Sequence, residues 1–160
     1  MRNETRDIKV QSLHPSIGAT VHGVNLSQPL EAATIDAINS AWMKHIVLVF
    51  PDQPISDDAL VAFGEQFGDL EIHPSLAHRA SRNRKIYRVS NLDEKGDFIS
   101  PDNTAWQYVS QSWRWHSDSS FREVPSNGSI LHGIEITNEG GNTRFANLYD
   151  AYHALSADMK

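Results

Sequence analysis

The run Ile46-Val47-Leu48-Val49-Phe50 is apolar throughout and rich in β-branched residues, and Pro51 and Pro54 stop it. It reads as a short buried strand. A stretch of five residues is also far too short to cross a membrane. Upstream, Pro29 opens a helical pattern in which Leu30, Ile35, Ile38, Trp42 and Ile46 fall on one face. Downstream, Ser56 followed by Asp57 and Asp58 is a helix start. The hydroxyl can cap free amides, and the carboxylates suit the positive end of the helix dipole. Leu60, Phe63 and Phe67 would form the buried face of that helix, and Gly68 would end it.

The rest of the chain is punctuated in the same way. Ile8-Lys9-Val10 and Ala19-Thr20-Val21 are small β-type runs separated by Pro15 and Gly18. Residues 74–84 read as a loop and residues 85–91 as a strand. Residues 92–111 are polar, contain Gly96 and Pro101, and read as a long loop. Residues 111–118, 129–136 and 142–146 read as further strands. Asn138-Glu139-Gly140-Gly141 is a turn between the last two. Asn147 can cap a short helix carrying Leu148, Tyr152 and Leu155, and Ser156 reads as a second cap.

A chain of 160 residues fits one domain. With 39% hydrophobic and 21% charged residues it has the composition of a soluble globular protein. Twenty acidic against fourteen basic residues give a net charge of -6, which disfavours nucleic acid and anionic membranes as partners. A local basic pocket for a small anion remains compatible with that total. There is no cysteine, so disulfides, thiolate metal sites and cysteine nucleophiles are excluded. The charged opening lacks the apolar stretch of a signal peptide, and a cytoplasmic location is the expectation.

Trp115-His116-Ser117-Asp118 is the segment with the most chemistry. On a strand, positions i and i+2 share a face, so the His116 imidazole and the Asp118 carboxylate would converge. A neutral nitrogen donor beside an anionic oxygen donor is two-thirds of the facial triad of non-haem Fe(II) oxygenases. On spacing alone His-x-Asp is a weak signal, and the pair reads first as a surface His and Asp sharing a hydrogen bond. His132, on a face with Ile130, Ile134 and Ile136, reads as a packed histidine, and His153 as solvent-facing. Trp113 and Trp115 read as packing behind the metal face.

The wider pattern is that of a known family. Trp115-His116-Ser117-Asp118-Ser119-Ser120-Phe121 resembles the iron-binding segment of the taurine dioxygenase superfamily, most closely its 2,4-dichlorophenoxyacetate dioxygenase branch. Gly140-Gly141-Asn142-Thr143 resembles the family's Gly-Gly-Asp/Asn-Thr segment. Residues 149–155 resemble its following helix, residues 46–50 its early strand, and Phe63-Gly64 to Leu70-Glu71 its early helix end. Several ordered motifs at matching separations are far more specific than one tripeptide.

The resemblance implies a mainly β fold with flanking helices: a double-stranded β-helix, or jelly roll. Residues 1–160 would be the amino-terminal part of a single dioxygenase domain, so the jelly roll would be incomplete in this chain. It implies Fe(II) held by His116 and Asp118, with 2-oxoglutarate as co-substrate and Thr143 donating a hydroxyl hydrogen bond to one of its carboxylates. His73 resembles a substrate-contacting histidine, although Leu76 stands where the taurine enzyme has a tyrosine. Ser119 occupies a position that contacts substrate near the metal. The family's third ligand, a late histidine, and its 2-oxoglutarate-binding arginine have no counterpart among these residues, so the chain alone is expected to be inactive. The implied partners are a small, anionic organic substrate and dioxygen, and the sequence allows a homo-oligomer. Two readings from other classes stand beside this one. The chain could be a non-catalytic small-molecule-binding remnant of the fold, or His116 and Asp118 could hold zinc in a hydrolase.

Overall fold

The structure, a computed structural model, describes residues 8–72, 83–93, 95–111 and 113–160, with the side chains of residues 105, 108 and 111 excepted. It divides into two compact units, Met1–Phe67 with Gly133–Lys160, and Gly68–His132.

In the first unit, β1 (Lys9–Ser12) pairs antiparallel with β2 (Ala19–His22), with Val10 opposite Val21. The parallel partner of β2 is β3 (Leu48–Val49), giving the order β1-β2-β3. Between β2 and β3 runs α1 (Ala32–His45), which buries Ile38 and Ala41. The apolar spacing in the sequence correctly marks this face. Ile46 ends α1 at φ 67, unusual for a β-branched residue. Val47 N–H bonds to His45 O at 2.7 Å, a γ-turn that swings the chain from α1 into β3. The Trp42 indole N–H holds the Ile46 carbonyl at 2.9 Å and so braces that turn. The strand itself is shorter and less buried than the five-residue run suggests, with Val49 exposed.

Helix α2 (Asp57–Glu65) starts where the Ser56 hydroxyl accepts from Ala59 N–H at 3.2 Å, as its sequence predicts. Phe63 and Gly64 are its buried residues. Leu26, Ile38 and Phe63 form the core, packed around by Val24, Leu30, Leu48, Phe50, Ile55 and Phe67 among others. Phe63 meets Phe50 and Phe67 edge to face, with centroids 5.8 and 5.1 Å away.

A single side chain stitches the loops over this core. Gln53 Oε1 accepts from Leu26 N–H at 2.9 Å, while its Nε2 donates to Val24 O and Pro51 O. Gln53→Ala would strand a part-buried N–H and should cost about 1–3 kcal/mol. That is a fall in Tm of roughly 2–4 °C per kcal/mol for a chain of this size. A thermal melt unchanged by the substitution would show that water replaces all three bonds.

Helix α4 (Leu148–His153) closes this unit. Asn147 Oδ1 caps it, accepting from Tyr149 N–H at 2.9 Å, as its sequence predicts. The amide nitrogen of Asn147 donates to Ser16 O at 2.9 Å, and Ser16 Oγ donates to Asp150, which ties the helix to the β1–β2 loop. A 3-10 turn, Ala157–Met159, follows Ser156, whose hydroxyl makes no cap bond.

In the second unit, the expected loop over 92–111 holds two ordered pieces. Leu92 and Phe98 form an antiparallel bridge. The Asp93 carboxylate accepts from Lys95 and Asp97 N–H at 2.8 and 3.0 Å, and Gly96 turns at φ 89. Then α3 (Thr104–Gln111) forms, a helix of only eight residues inside the stretch read as loop.

The expected strands at 85–91, 129–136 and 142–146 do not form ladders among the described residues. Extended backbone becomes a strand only when a partner strand pairs with its N–H and C=O groups. Ile130, Ile134 and Ile136 are correspondingly exposed, so the packed face expected around His132 is absent. The described strands are four, four and two residues long against helices of 14, 9, 8 and 6, so helix outweighs strand here despite the mainly β expectation. Among the described residues no helix is long and apolar enough to cross a membrane.

Candidate metal centre

His116 and Asp118 are not on a strand. Residue 111 still belongs to α3, and from Trp113 onward the backbone is irregular until a turn over residues 118–120. The expected strand at 111–118 fails for the reason given above: no described segment pairs with it. The two side chains instead meet on irregular backbone, and a turn follows directly. Ser119 sits at φ 55, and Arg122 N–H bonds to Ser119 O at 3.1 Å. Trp113 and Trp115 are 77% and 69% exposed, so they do not pack behind the pair as expected. Trp113 instead meets Trp106 of α3 edge to face.

His116 Nε2 lies 3.3 Å from Asp118 Oδ1. On the far side of the ring, Nδ1 lies 2.7 Å from the Arg114 carbonyl oxygen. A carbonyl only accepts, so in the neutral imidazole this bond places the ring proton on Nδ1 and leaves the Nε2 lone pair facing the carboxylate. Asp118 is oriented from behind in the same way: Ser129 Oγ donates to Oδ2 at 2.9 Å, leaving Oδ1 toward the imidazole. Two electron-pair donors thus face each other, each oriented by an outer partner on its other side. That is the usual support of a metal-ligating histidine and carboxylate. With ligand bonds of about 2.0–2.2 Å, one ion can touch both donors. Both side chains are more than half exposed, so the pair is open to solvent and ligands. Among the described residues no group of three or more His, Cys, Asp or Glu side chains could hold a metal, so the described donors to this centre are two.

Beside the pair lies a network that sequence reasoning missed. Glu71 Oε2 accepts from Ser119 Oγ at 3.0 Å and from Ser126 Oγ at 2.8 Å, while Oε1 pairs with the Arg122 guanidinium. In the sequence Glu71 is only the last residue of a helix-end motif. Ser129 and Ser126 carry no local signal at all, because their partners lie 11 and 55 residues away.

The other expected site residues are distributed as follows. Ser119 adjoins Asp118, with its hydroxyl committed to Glu71. Thr143 is exposed on irregular backbone in the unit that contains α4. It follows Gly140 and Gly141 at φ 74 and 63, and a Cβ on Gly141 would meet Thr137 Cγ2 at 3.0 Å, so glycine is needed there. His73 lies outside the described residues. His132 is half-buried, and its Nδ1 is buried without a hydrogen-bond partner. His153 is exposed, as expected, and shares an open recess with Leu148, Tyr149 and Tyr152.

Residues 9–160 match the profile of the family described as taurine catabolism dioxygenase TauD, TfdA. The chain is 29% identical over 153 residues to an (S)-phenoxypropionate/alpha-ketoglutarate-dioxygenase of Sphingobium herbicidovorans, covering 94% of this chain and 49% of that protein. It is 31% identical over 153 residues to an alpha-ketoglutarate-dependent 2,4-dichlorophenoxyacetate dioxygenase of Cupriavidus pinatubonensis, covering 92% and 53%. The crystal structure of AAD-2 in complex with Mn(II) and N-oxalylglycine superposes on 96% of this chain and 51% of that one, at 30% identity and a TM-score of 0.78. The chain thus spans about half the length of the relatives it matches.

Proposed function

The chain belongs to the taurine catabolism dioxygenase TauD/TfdA family, and on that premise we propose that it contributes the iron-binding turn of an Fe(II)- and 2-oxoglutarate-dependent dioxygenase. Its fold would be the jelly roll with flanking helices, and its substrate a small organic anion such as an aryloxyalkanoate. The observation that carries this reading is the facing of His116 Nε2 and Asp118 Oδ1 at 3.3 Å, each oriented from behind by a dedicated partner.

His116 and Asp118 would hold Fe(II). With 2-oxoglutarate and dioxygen, the bound iron supplies the oxidising power, so that one oxygen atom enters a substrate C–H bond as hydroxyl and the other leaves in succinate, with release of carbon dioxide. The chain's own residues contribute position. The Arg114 carbonyl keeps the proton on Nδ1, so that Nε2 stays a lone-pair donor. Ser129 holds Asp118 Oδ2 and thereby turns Oδ1 to the centre. Thr143 would donate its hydroxyl to a carboxylate of 2-oxoglutarate, a charge-assisted bond that orients the co-substrate. Ser119 is proposed beside the substrate, with its hydroxyl proton directed to Glu71. His73 is proposed as a further substrate contact. The names of the two herbicide-acting relatives support the anionic substrate class.

N-oxalylglycine has an N–H where 2-oxoglutarate has a methylene, so it chelates in the same way without being decarboxylated. Titration of the purified protein with Mn(II), followed by loss of the free-ion electron paramagnetic resonance signal, should show saturable binding that N-oxalylglycine tightens. Binding of Zn(II) with no response of Mn(II) to N-oxalylglycine would favour a hydrolytic site instead.

A further inference from the structure

We propose that Glu71 is a positioning residue for the metal-binding turn: its carboxylate gathers Ser119, Arg122 and Ser126 and so fixes the backbone on which Asp118 is carried. The inference rests on the metal reading above and deepens it.

Both carboxylate oxygens of Glu71 are engaged, Oε1 by Arg122 and Oε2 by the hydroxyls of Ser119 and Ser126. The two serine oxygens are themselves 3.1 Å apart, so the three groups form a closed cluster around one oxygen. With both oxygens taken, Glu71 is an organiser of the turn and not a ligand. Its partners fall at the first residue after the ligand, three residues further on, and seven residues further on, so one side chain spans the whole turn.

Ser119 is where this matters most. It is a non-glycine residue at φ 55, a conformation that most L residues avoid because Cβ crowds the carbonyl oxygen. Its rotation sets the direction in which the chain leaves Asp118 and returns to Ser129, whose hydroxyl holds Asp118 Oδ2. The hydroxyl bond to Glu71 is a long-range restraint on that rotation, from a residue 48 positions away. The Arg122 pair acts at the other end of the turn, where Arg122 N–H already bonds to Ser119 O. The ion pair is about one-third exposed on both sides, and such a pair alone contributes little to stability. What distinguishes Glu71 is that one carboxylate holds three groups of the same turn, a network that a local change cannot replace.

The test is the Mn(II) affinity of the purified chain, measured from the free-ion paramagnetic resonance signal well below the melting temperature, with the thermal melt recorded in parallel. Glu71→Ala should weaken Mn(II) binding by about tenfold, the lower end of what loss of an outer-shell partner costs. Glu71→Gln keeps an acceptor for the serine hydroxyls and should fall between wild type and Glu71→Ala; it also serves if Glu71→Ala does not fold. Ser119→Gly, which removes the steric penalty at φ 55, should recover part of the affinity in the Glu71→Ala background. A purely structural role would lower the melting temperature and leave affinity and rescue unmoved. Unchanged Mn(II) affinity in both Glu71 variants, alongside its loss in His116→Ala, would overturn the positioning role and leave the metal reading standing. A loss that Ser119→Gly does not recover would likewise overturn action through the turn. Unchanged affinity in His116→Ala would overturn the metal reading itself.

Discussion

His116→Ala is expected to lower the affinity of the protein for Fe(II) or Mn(II) by at least about a hundredfold, and Asp118→Ala to do the same. Loss of a mere outer-shell partner typically costs roughly 10–100-fold in metal affinity, and on the proposed reading these two residues supply the donor atoms themselves. With two described donors in place of a full set, the removal of either leaves a single monodentate contact that water competes with directly. The two substitutions should not be additive. Once one donor is gone the other can no longer chelate, so the double variant should bind no worse than the weaker single one. Isothermal titration of the three variants checks this. The affected groups are more than half exposed and outside the apolar core, so the melting temperature should stay near wild type. Two independent tenfold losses that add in the double variant would argue for two separate weak sites. Retention of wild-type affinity in either single variant would remove that residue from the centre.

The second large effect concerns a polypeptide of residues 1–160 supplied with Fe(II), ascorbate and 2-oxoglutarate. We expect little or no succinate from it with a panel of sulfonates and aryloxyacetates. The reason is a count of ligands and charges. The described residues gather no group of three metal-binding side chains, and two donors hold an ion loosely. Among the described residues no arginine is assigned to the distal carboxylate of 2-oxoglutarate. A charge-assisted hydrogen bond contributes roughly 1.5–3 kcal/mol, so without such a partner co-substrate binding should be weaker by about tenfold or more. The metal pair is also open to solvent, which lets water compete at every step. Joining residues 1–160 to the carboxy-terminal half of the 2,4-dichlorophenoxyacetate relative should raise succinate formation well above that of the chain alone. Robust, substrate-dependent succinate from residues 1–160, lost in His116→Ala, would mean that these residues build a complete site. His132, whose buried Nδ1 lacks a partner, would then be the first candidate for the missing ligand.

Local signals in the chain were legible where the physics is local. Ser56 and Asn147 cap helices because a side-chain oxygen reaches amides two or three residues ahead, which depends on nothing beyond the next turn. The buried face of α1 follows from 3.6-residue spacing, and the β1–β2 pair from two short β-type runs around a Pro and a Gly. The residue types at 116 and 118 suggested the proposed chemistry, and the ordered motifs around them named the family. The sequence could not decide what the backbone does between residues 111 and 136. A strand exists only when another strand pairs with it, and α3, at eight residues, is too short for its spacing to stand out from the surrounding loop. Nor could it show that His116 meets Asp118 on irregular backbone just ahead of a turn in which Ser119 is left-handed. The partners that orient the pair and hold that turn lie 11, 48 and 55 residues apart in the chain. Contacts at such separations leave no mark on local spacing, so only the tertiary structure could place Ser129 behind Asp118 and Glu71 beneath the turn.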